Sequence, residues 1–478
     1  MVARGIAIAL LVLLAAGCSG PAAKPSSVLL DESSTSTTAP PDPRIPTQEP
    51  TQPQPTPTTS SSSSNEPTST TTTSTQPTGL PPAPVYPGFP DAVTPITQSG
   101  SLHETSLAIA PDGQTLLSCD AQDHGTNGGV PAGYHVSNDA GKTWKNVLEP
   151  PAAADPRSLM ASRGNDCDVA VDAAGTLYAA DAWQDGVAIS RSTDGGATWT
   201  LAQSLAGVDP AAAAASGGTT VYERPWLAAG ATGHVDLVVR TYVPFVRSDV
   251  LFARSTDSGS TFTTPVMVAT GSVVAGAPAV SPDGSHIWVP YHEFSSAASL
   301  MRVAASTDGG KTWTPSTATS PGQASSKFPS LGIDAGGGLH LVDAQMVGAV
   351  SKVVYWHSTD AGTSWTAPAI LSGPVAALSP WVAGGKGGQA AVAWFGAYAG
   401  AAHPTDRYLF WARITADGVQ SATTTTAPVY SGSQPAPPEF GVIRLDAAGH
   451  MRFGYSVPAG TTTGWQSVYQ AQSAGPAT

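Results

Sequence analysis

One octapeptide occurs five times in this chain, and no other feature constrains its fold as much. The copies are Ser137-Asn-Asp-Ala-Gly-Lys-Thr-Trp144, Ser192-Thr-Asp-Gly-Gly-Ala-Thr-Trp199, Ser255-Thr-Asp-Ser-Gly-Ser-Thr-Phe262, Ser306-Thr-Asp-Gly-Gly-Lys-Thr-Trp313 and Ser358-Thr-Asp-Ala-Gly-Thr-Ser-Trp365. The chemistry of each copy is that of a hairpin turn. The Asp in third place can accept hydrogen bonds from backbone N–H groups of the turn. The Gly in fifth place supplies a positive φ that a Cβ would oppose. The aromatic residue in eighth place opens the outgoing strand, where it can cover apolar area between neighbouring sheets.

A second unit precedes each octapeptide: an apolar strand, an Asp or Gly turn, and another apolar strand. These units open at Glu104, Cys167, Arg224, Ala277 and Phe328. Two more open at Ser379 and Glu439 without a complete octapeptide. The sixth has a degenerate turn at Ala416-Asp-Gly418, and the last has a closing strand at Gln466 to Gln470. Seven units of about 50 residues suit the four-stranded blades of a β-propeller. The expected fold is all-β, a single propeller of seven blades over residues 98–478. Six blades are the alternative, because the seventh unit carries the faintest pattern.

The octapeptide resembles the Asp-box, the repeat of sialidase-like β-propellers. The resemblance implies that the boxes join the third and fourth strands of a blade, on the face away from the binding site. Asp139, Asp194, Asp257, Asp308 and Asp360 are therefore expected to be structural, and neither catalytic nor metal-binding.

The start of the chain points outside the cytoplasm. Arg4 is followed by an apolar run from Ile6 to Ala16, too short to span a membrane comfortably. It ends Leu14-Ala-Ala-Gly-Cys18, which resembles a bacterial lipobox, although Ala15 stands where Leu is commonest. That resemblance implies a signal peptide over 1–17 and a lipid on Cys18 as the only membrane anchor. Residues 18–97 are dominated by Ser, Thr and Pro, and cannot bury enough apolar surface to fold. A flexible chain of that length spans on the order of 50 Å. It reads as a stalk that displays the propeller at the cell envelope.

Two further cysteines, Cys119 and Cys167, are expected to form a disulfide in an extracytoplasmic compartment. In a propeller, one ends a second strand and the other starts the next blade's first strand. The net charge of −13 argues against a nucleic-acid partner.

In this architecture a ligand meets the residues just before each first strand and just after each second strand. Those positions hold Asp120, Asp123, Asp168, Asp181, Trp183, Asp185, Tyr222, Tyr291, His292 and Glu293. Aromatic and hydrogen-bonding side chains together suit sugars, and paired carboxylates suit glycoside hydrolysis. Asp181/Asp185 and Asp120/Asp123 match no recognised calcium loop, so no metal and no cofactor is expected.

Sialidases hold the substrate carboxylate with three Arg residues, and use a Tyr–Glu pair as nucleophile and an Asp as acid/base. The resemblance does not extend to that set. The Phe/Tyr-Arg-Ile-Pro motif ahead of the first blade is replaced by Leu102-His-Glu-Thr-Ser106. Arg224, Arg240, Arg247 and Arg407 are the clamp candidates, and three of them fall in one blade. Arg191 and Arg254 adjoin boxes and belong to the wrong face. Glu223, Arg224, Arg240 and Tyr242 are the residues a catalytic reading would use. The favoured expectation is a non-catalytic module that binds a glycan or an envelope protein. An exo-sialidase-type hydrolase and an assembly factor for envelope complexes are the alternatives.

Overall fold

The computed structural model describes residues 93–97, 102–122, 132–147, 166–183, 186–204, 221–243, 247–295, 299–373, 376–397, 405–424, 427–431, 441–458 and 465–472. Cys18, the stalk up to residue 92, Asp123 and Asp185 lie outside them, as do the side chains of Trp183, Tyr242 and Arg247.

All of the assigned elements are β-strands, and they form seven antiparallel sheets, one per blade. Blade 3 shows the pattern most fully. Its strands Val221–Ala229, Val235–Val243, Arg247–Ser255 and Val266–Gly271 pair in chain order from the axis outward. In blades 4 and 5 the inner strand is broken in two. Val273–Ala275 and Ala279–Val280 flank Pro278, and Gln323–Ala324 and Ser330–Ile333 flank Pro329. Proline has no N–H for the ladder and is tolerated where only one side needs a partner. The innermost strand of a blade is such a place.

Blade 7 closes the ring with both ends of the chain. Val442–Leu445, Met451–Pro458 and Trp465–Ala471 are joined at the outside by Thr94–Pro95, with Thr94 opposite Tyr469. This pairing begins ahead of the expected start at 98. Thr105 of blade 1 reinforces the seam through Ser456 Oγ at 2.9 Å and Ser467 Oγ at 2.8 Å.

The core lies between blades. Tyr178 and Ile189 of blade 2 pack with Leu237 and Val239 of blade 3, and Val342 and Val353 of blade 5 pack with Trp394 and Phe410 of blade 6. Fully burying one such side chain contributes about 1.5–3 kcal/mol. Cys119 and Cys167 form the disulfide between blades 1 and 2, with Cα atoms 6.3 Å apart.

The five octapeptides are built alike. In the first, Asp139 Oδ1 accepts the Thr143 N–H at 2.9 Å and Oδ2 accepts the Thr143 hydroxyl at 2.7 Å. Ser137 Oγ accepts the Gly141 N–H at 2.8 Å. The fourth and fifth places are both left-handed: Ala140 has φ 59° and Gly141 has φ 87°. A Cβ on Gly141 would stand 2.1 Å from the ring of Tyr469, and Trp144 meets that same ring edge-on at 5.6 Å. This turn thus packs its Gly and its aromatic residue on the preceding blade, and blade 4 repeats this with Gly310 and Trp313 on Phe252.

Candidate functional site: the throat opposite the octapeptide turns

The inner strands converge on the ring axis at the face opposite the octapeptides. Two of them are distorted there in the same way. The ladder shifts register between Glu223 and Pro225 in blade 3, and between Leu378 and Trp381 in blade 6. Arg224 and Ser379, each followed by Pro, have φ values of 55° and 51°. A residue before Pro is already pushed out of the α region, and a positive φ on any residue with a Cβ is strained. Long-range partners hold this conformation. The Arg224 N–H donates to Asp166 Oδ2 at 2.8 Å.

The distortion turns Arg224 into the throat. Its Nη2 contacts both Glu104 Oε2 of blade 1 and Asp166 Oδ1 of blade 2, the latter at 3.4 Å. Its guanidinium lies over the Phe328 ring at 4.9 Å. Trp226 meets Phe328 edge-on at 5.3 Å and Trp381 at 5.6 Å, so rings from blades 3, 5 and 6 close the axis. Arg224, Glu104 and Asp166 are each only 5 % exposed.

One layer deeper, Asp168 is also buried. Its Oδ1 accepts the Ser106 hydroxyl at 2.5 Å and its Oδ2 accepts the Leu227 N–H at 2.7 Å. Burial pushes its carboxyl up, against the pull of those two bonds and of Arg444 from blade 7. Burial in turn lowers the Arg444 guanidinium, and Asp168 opposes that.

The expected ligand-facing residues separate into two groups. Asp120, Asp168, Tyr291 and His292 are buried within strands, which corrects their expected place beyond the strand ends. Asp120 Oδ2 faces His135 Nε2 at 3.1 Å, and His292 Nε2 faces Asp343 Oδ2 at 3.1 Å. Each pair ties strands together, Asp120 within blade 1 and His292 to blade 5. Tyr222, Glu223, Arg240, Glu293 and Asp181 keep part of their surface at the rim. Glu223 pairs with Arg240 at 2.5 Å, and Glu293 with Arg302 at 2.9 Å. Trp183 and Tyr242 sit at the outer ends of the second strands of blades 2 and 3. Burial raises the Tyr222 hydroxyl.

Arg191 and Arg254 lie among the turns: Arg191 donates to Ser258 O at 2.5 Å, and Arg254 forms a bidentate pair with Asp236, both contacts at 2.6 Å. Arg407 donates to Asp406 O at 2.9 Å. The octapeptide aspartates are saturated acceptors. Asp139, Asp194, Asp257 and Asp360 are held down to about 2, first by the hydroxyl of Thr143, Thr198, Thr261 and Ser364 respectively.

Sequence reasoning missed Phe328, Trp226, Ser106 and Arg444 as throat residues. A signal for three of the throat rings was present. Pro225, Pro278, Pro329 and Pro380 recur at the same place in four inner strands, with Trp226, Phe328 and Trp381 beside them.

No family model matches the chain, and no curated protein matches its sequence. Several solved structures are similar to it in shape. One is a protein of unknown function from Dyadobacter fermentans, at 12% identity and a TM-score of 0.48, covering 81% of this chain and 100% of that one. Another is the α-L-arabinofuranosidase Arb93A of Fusarium graminearum with an iminosugar inhibitor, at 13% identity and a TM-score of 0.44, covering 70% and 97%. A third is the NanB sialidase of Streptococcus pneumoniae, at 13% identity and a TM-score of 0.43, covering 81% and 71%. A likeness of this size assigns no activity.

Proposed function

We propose that this chain is a lipid-anchored, envelope-displayed propeller that binds a neutral glycan on the throat face without turning it over. The observation that carries the reading is the state of Arg224. It is a cation of the throat, yet Glu104 and Asp166 already engage it beneath a lid of Phe328. A ligand carboxylate would have to displace two buried carboxylates, and separating a buried pair costs about 3–5 kcal/mol. A neutral sugar asks for no such exchange. It meets the rim instead, where Tyr222 and the Glu223–Arg240 pair offer a ring face and hydrogen-bonding groups. The anchor at Cys18 and the stalk over 18–97 complete the reading from sequence alone.

A glycoside hydrolase is the second reading, and one observation favours it. Glu104 and Asp166 share a single nitrogen of Arg224, so two carboxylates from adjacent blades stand side by side. Paired carboxylates are what glycosidases use.

Arrays of neutral and sialylated oligosaccharides, probed with the full chain, separate these readings. Neutral ligands should be retained, with affinity falling about tenfold, or 1.4 kcal/mol, in Tyr222→Ala. Retention of sialylated ligands alone would overturn the neutral-glycan reading. Turnover of any fluorogenic glycoside that Glu104→Gln abolishes would put the hydrolase in its place.

A further inference from the structure

Blades 2, 5 and 7 share a turn between their first two strands that is distinct from the octapeptide. The turns read Asp172-Ala-Ala-Gly175, Asp334-Ala-Gly-Gly337 and Asp446-Ala-Ala-Gly449, each ending on a glycine of positive φ. In all three, Asp Oδ1 accepts two backbone N–H groups: those of Ala174 and Thr176, of Gly336 and Gly338, and of Ala448 and His450.

The three turns differ at the other oxygen. In blade 2, Asp172 Oδ2 accepts the Tyr178 hydroxyl at 3.0 Å. In blade 7, Asp446 Oδ2 faces His450 Nδ1 at 3.2 Å but also accepts Arg452 Nη2 at 2.6 Å, so a guanidinium occupies the place an ion would need. A guanidinium carries no lone pair for a metal, and a neutral phenol donating its proton is a poor ligand. In blade 5 the same place is taken by an imidazole, His340, whose Nε2 is 3.0 Å from Asp334 Oδ2.

A second imidazole stands beside it. The His357 ring stacks on His340 at 4.8 Å. Its Nε2 is buried and has no hydrogen-bond partner. The ligand atoms of Asp334, His340 and His357 all lie within 4.8 Å of one another. The gap between them is kept clear by a missing side chain. A Cβ on Gly338 would stand 2.5 Å from Asp334 Oδ2 and 2.9 Å from His357 Nε2. The other nitrogen of His340, Nδ1, is 2.8 Å from Tyr355 Oη. Such an outer partner fixes ring orientation and leaves Nε2 to face the ion.

We propose that Asp334, His340 and His357 form a binding site for one divalent first-row cation, with Zn²⁺ the best match. Two imidazole nitrogens and one carboxylate oxygen suit zinc in tetrahedral geometry, with a water as fourth ligand. Ligand atoms about 2.1 Å from zinc stand about 3.4 Å apart, so the present spacing closes by small side-chain rotations. The Gly388 N–H of blade 6 also donates to Asp334 Oδ2, at 2.8 Å. A bound ion would therefore brace the seam between blades 5 and 6, on the face away from the glycan site. Sequence reading found no metal ligands because these three come from a turn and two separate strands.

The test is a titration of the full chain, purified without a histidine tag and stripped with chelator, using Zn²⁺ by calorimetry and Co²⁺ by visible absorption. One equivalent should bind, Co²⁺ should give the intense bands of a tetrahedral site, and the melting temperature should rise with metal concentration. His340 is wholly buried, so its variants can fail for reasons of packing. His357→Gln is half-buried and changes only the ligand atom. Affinity should fall 10- to 100-fold in it, and also in Gly338→Ala, which fills the gap. No binding by the folded chain would overturn the site. Equal binding by the chain and by His357→Gln would overturn it as well, by assigning the metal to other histidines.

Discussion

Carboxylates on the two faces of the ring are held in opposite ways. On the turn face, Asp139 finds its partners at Ser137 and Thr143, and the group is half-buried. In the throat, Asp168 finds its partners in Ser106 and Leu227, which belong to the blades on either side. The first arrangement is local, repeated and independent of the rest of the ring. The second exists only once several blades have assembled. The turns therefore shape each blade, and the throat makes the blades one object.

The largest effect should come from breaking a tie between blades in the throat. Arg224→Met leaves Glu104 and Asp166 as buried charges without their shared partner. It should cost about 3–5 kcal/mol, read as a lower midpoint in urea unfolding. A loss below 1 kcal/mol would mean that the throat relaxes around its carboxylates. Removing the disulfide breaks another tie, between blades 1 and 2. The bond closes a loop of 48 residues, so Cys119→Ser with Cys167→Ser should cost about 3–4 kcal/mol. An unchanged midpoint would show that the unfolded chain is already compact there.

The smallest effect should be on the turn face, and it should depend on pH. In the unfolded chain an Asp takes up its proton near pH 4, whereas folded Asp139, Asp194, Asp257 and Asp360 hold theirs off until about 2. Their contribution is complete above the unfolded value and is lost as pH falls through that window. Asp168 has the opposite sign, because burial raises its carboxyl: protonation favours the folded chain. The melting temperature should fall between pH 4 and 2, and less steeply in Asp139→Asn. An identical acid limb in that variant would mean that the backbone, and not the carboxylate, holds the turn.

The same contrast explains what could be read without coordinates. An octapeptide is legible because Ser137, Asp139, Gly141, Thr143 and Trp144 act on one another within eight residues. The blade count follows from the spacing of such units, and the Cys119–Cys167 bond from which strand ends they occupy. The throat is different. Trp226, Phe328 and Trp381 meet from three blades, and nothing near Arg224 in sequence announces a positive φ. That conformation is set by Asp166, 58 residues away. The buried state of Asp120 and His292 was hidden for the same reason. Their partners, His135 and Asp343, lie on other strands.

The strand Thr94–Pro95 gives the ring a mechanical character. A hoop needs a clasp, and here the clasp is two residues long. Tension on the chain ahead of residue 93 falls first on the pairing of Thr94 with Tyr469. Tyr469 is also the ring on which Gly141 and Trp144 of blade 1 rest. Opening the clasp would therefore leave the strand that supports the first turn of the next blade as an open edge, and a pulled molecule should come apart from that point around the circle. The disulfide stands one blade further on, where it would check the first stage of such unwinding.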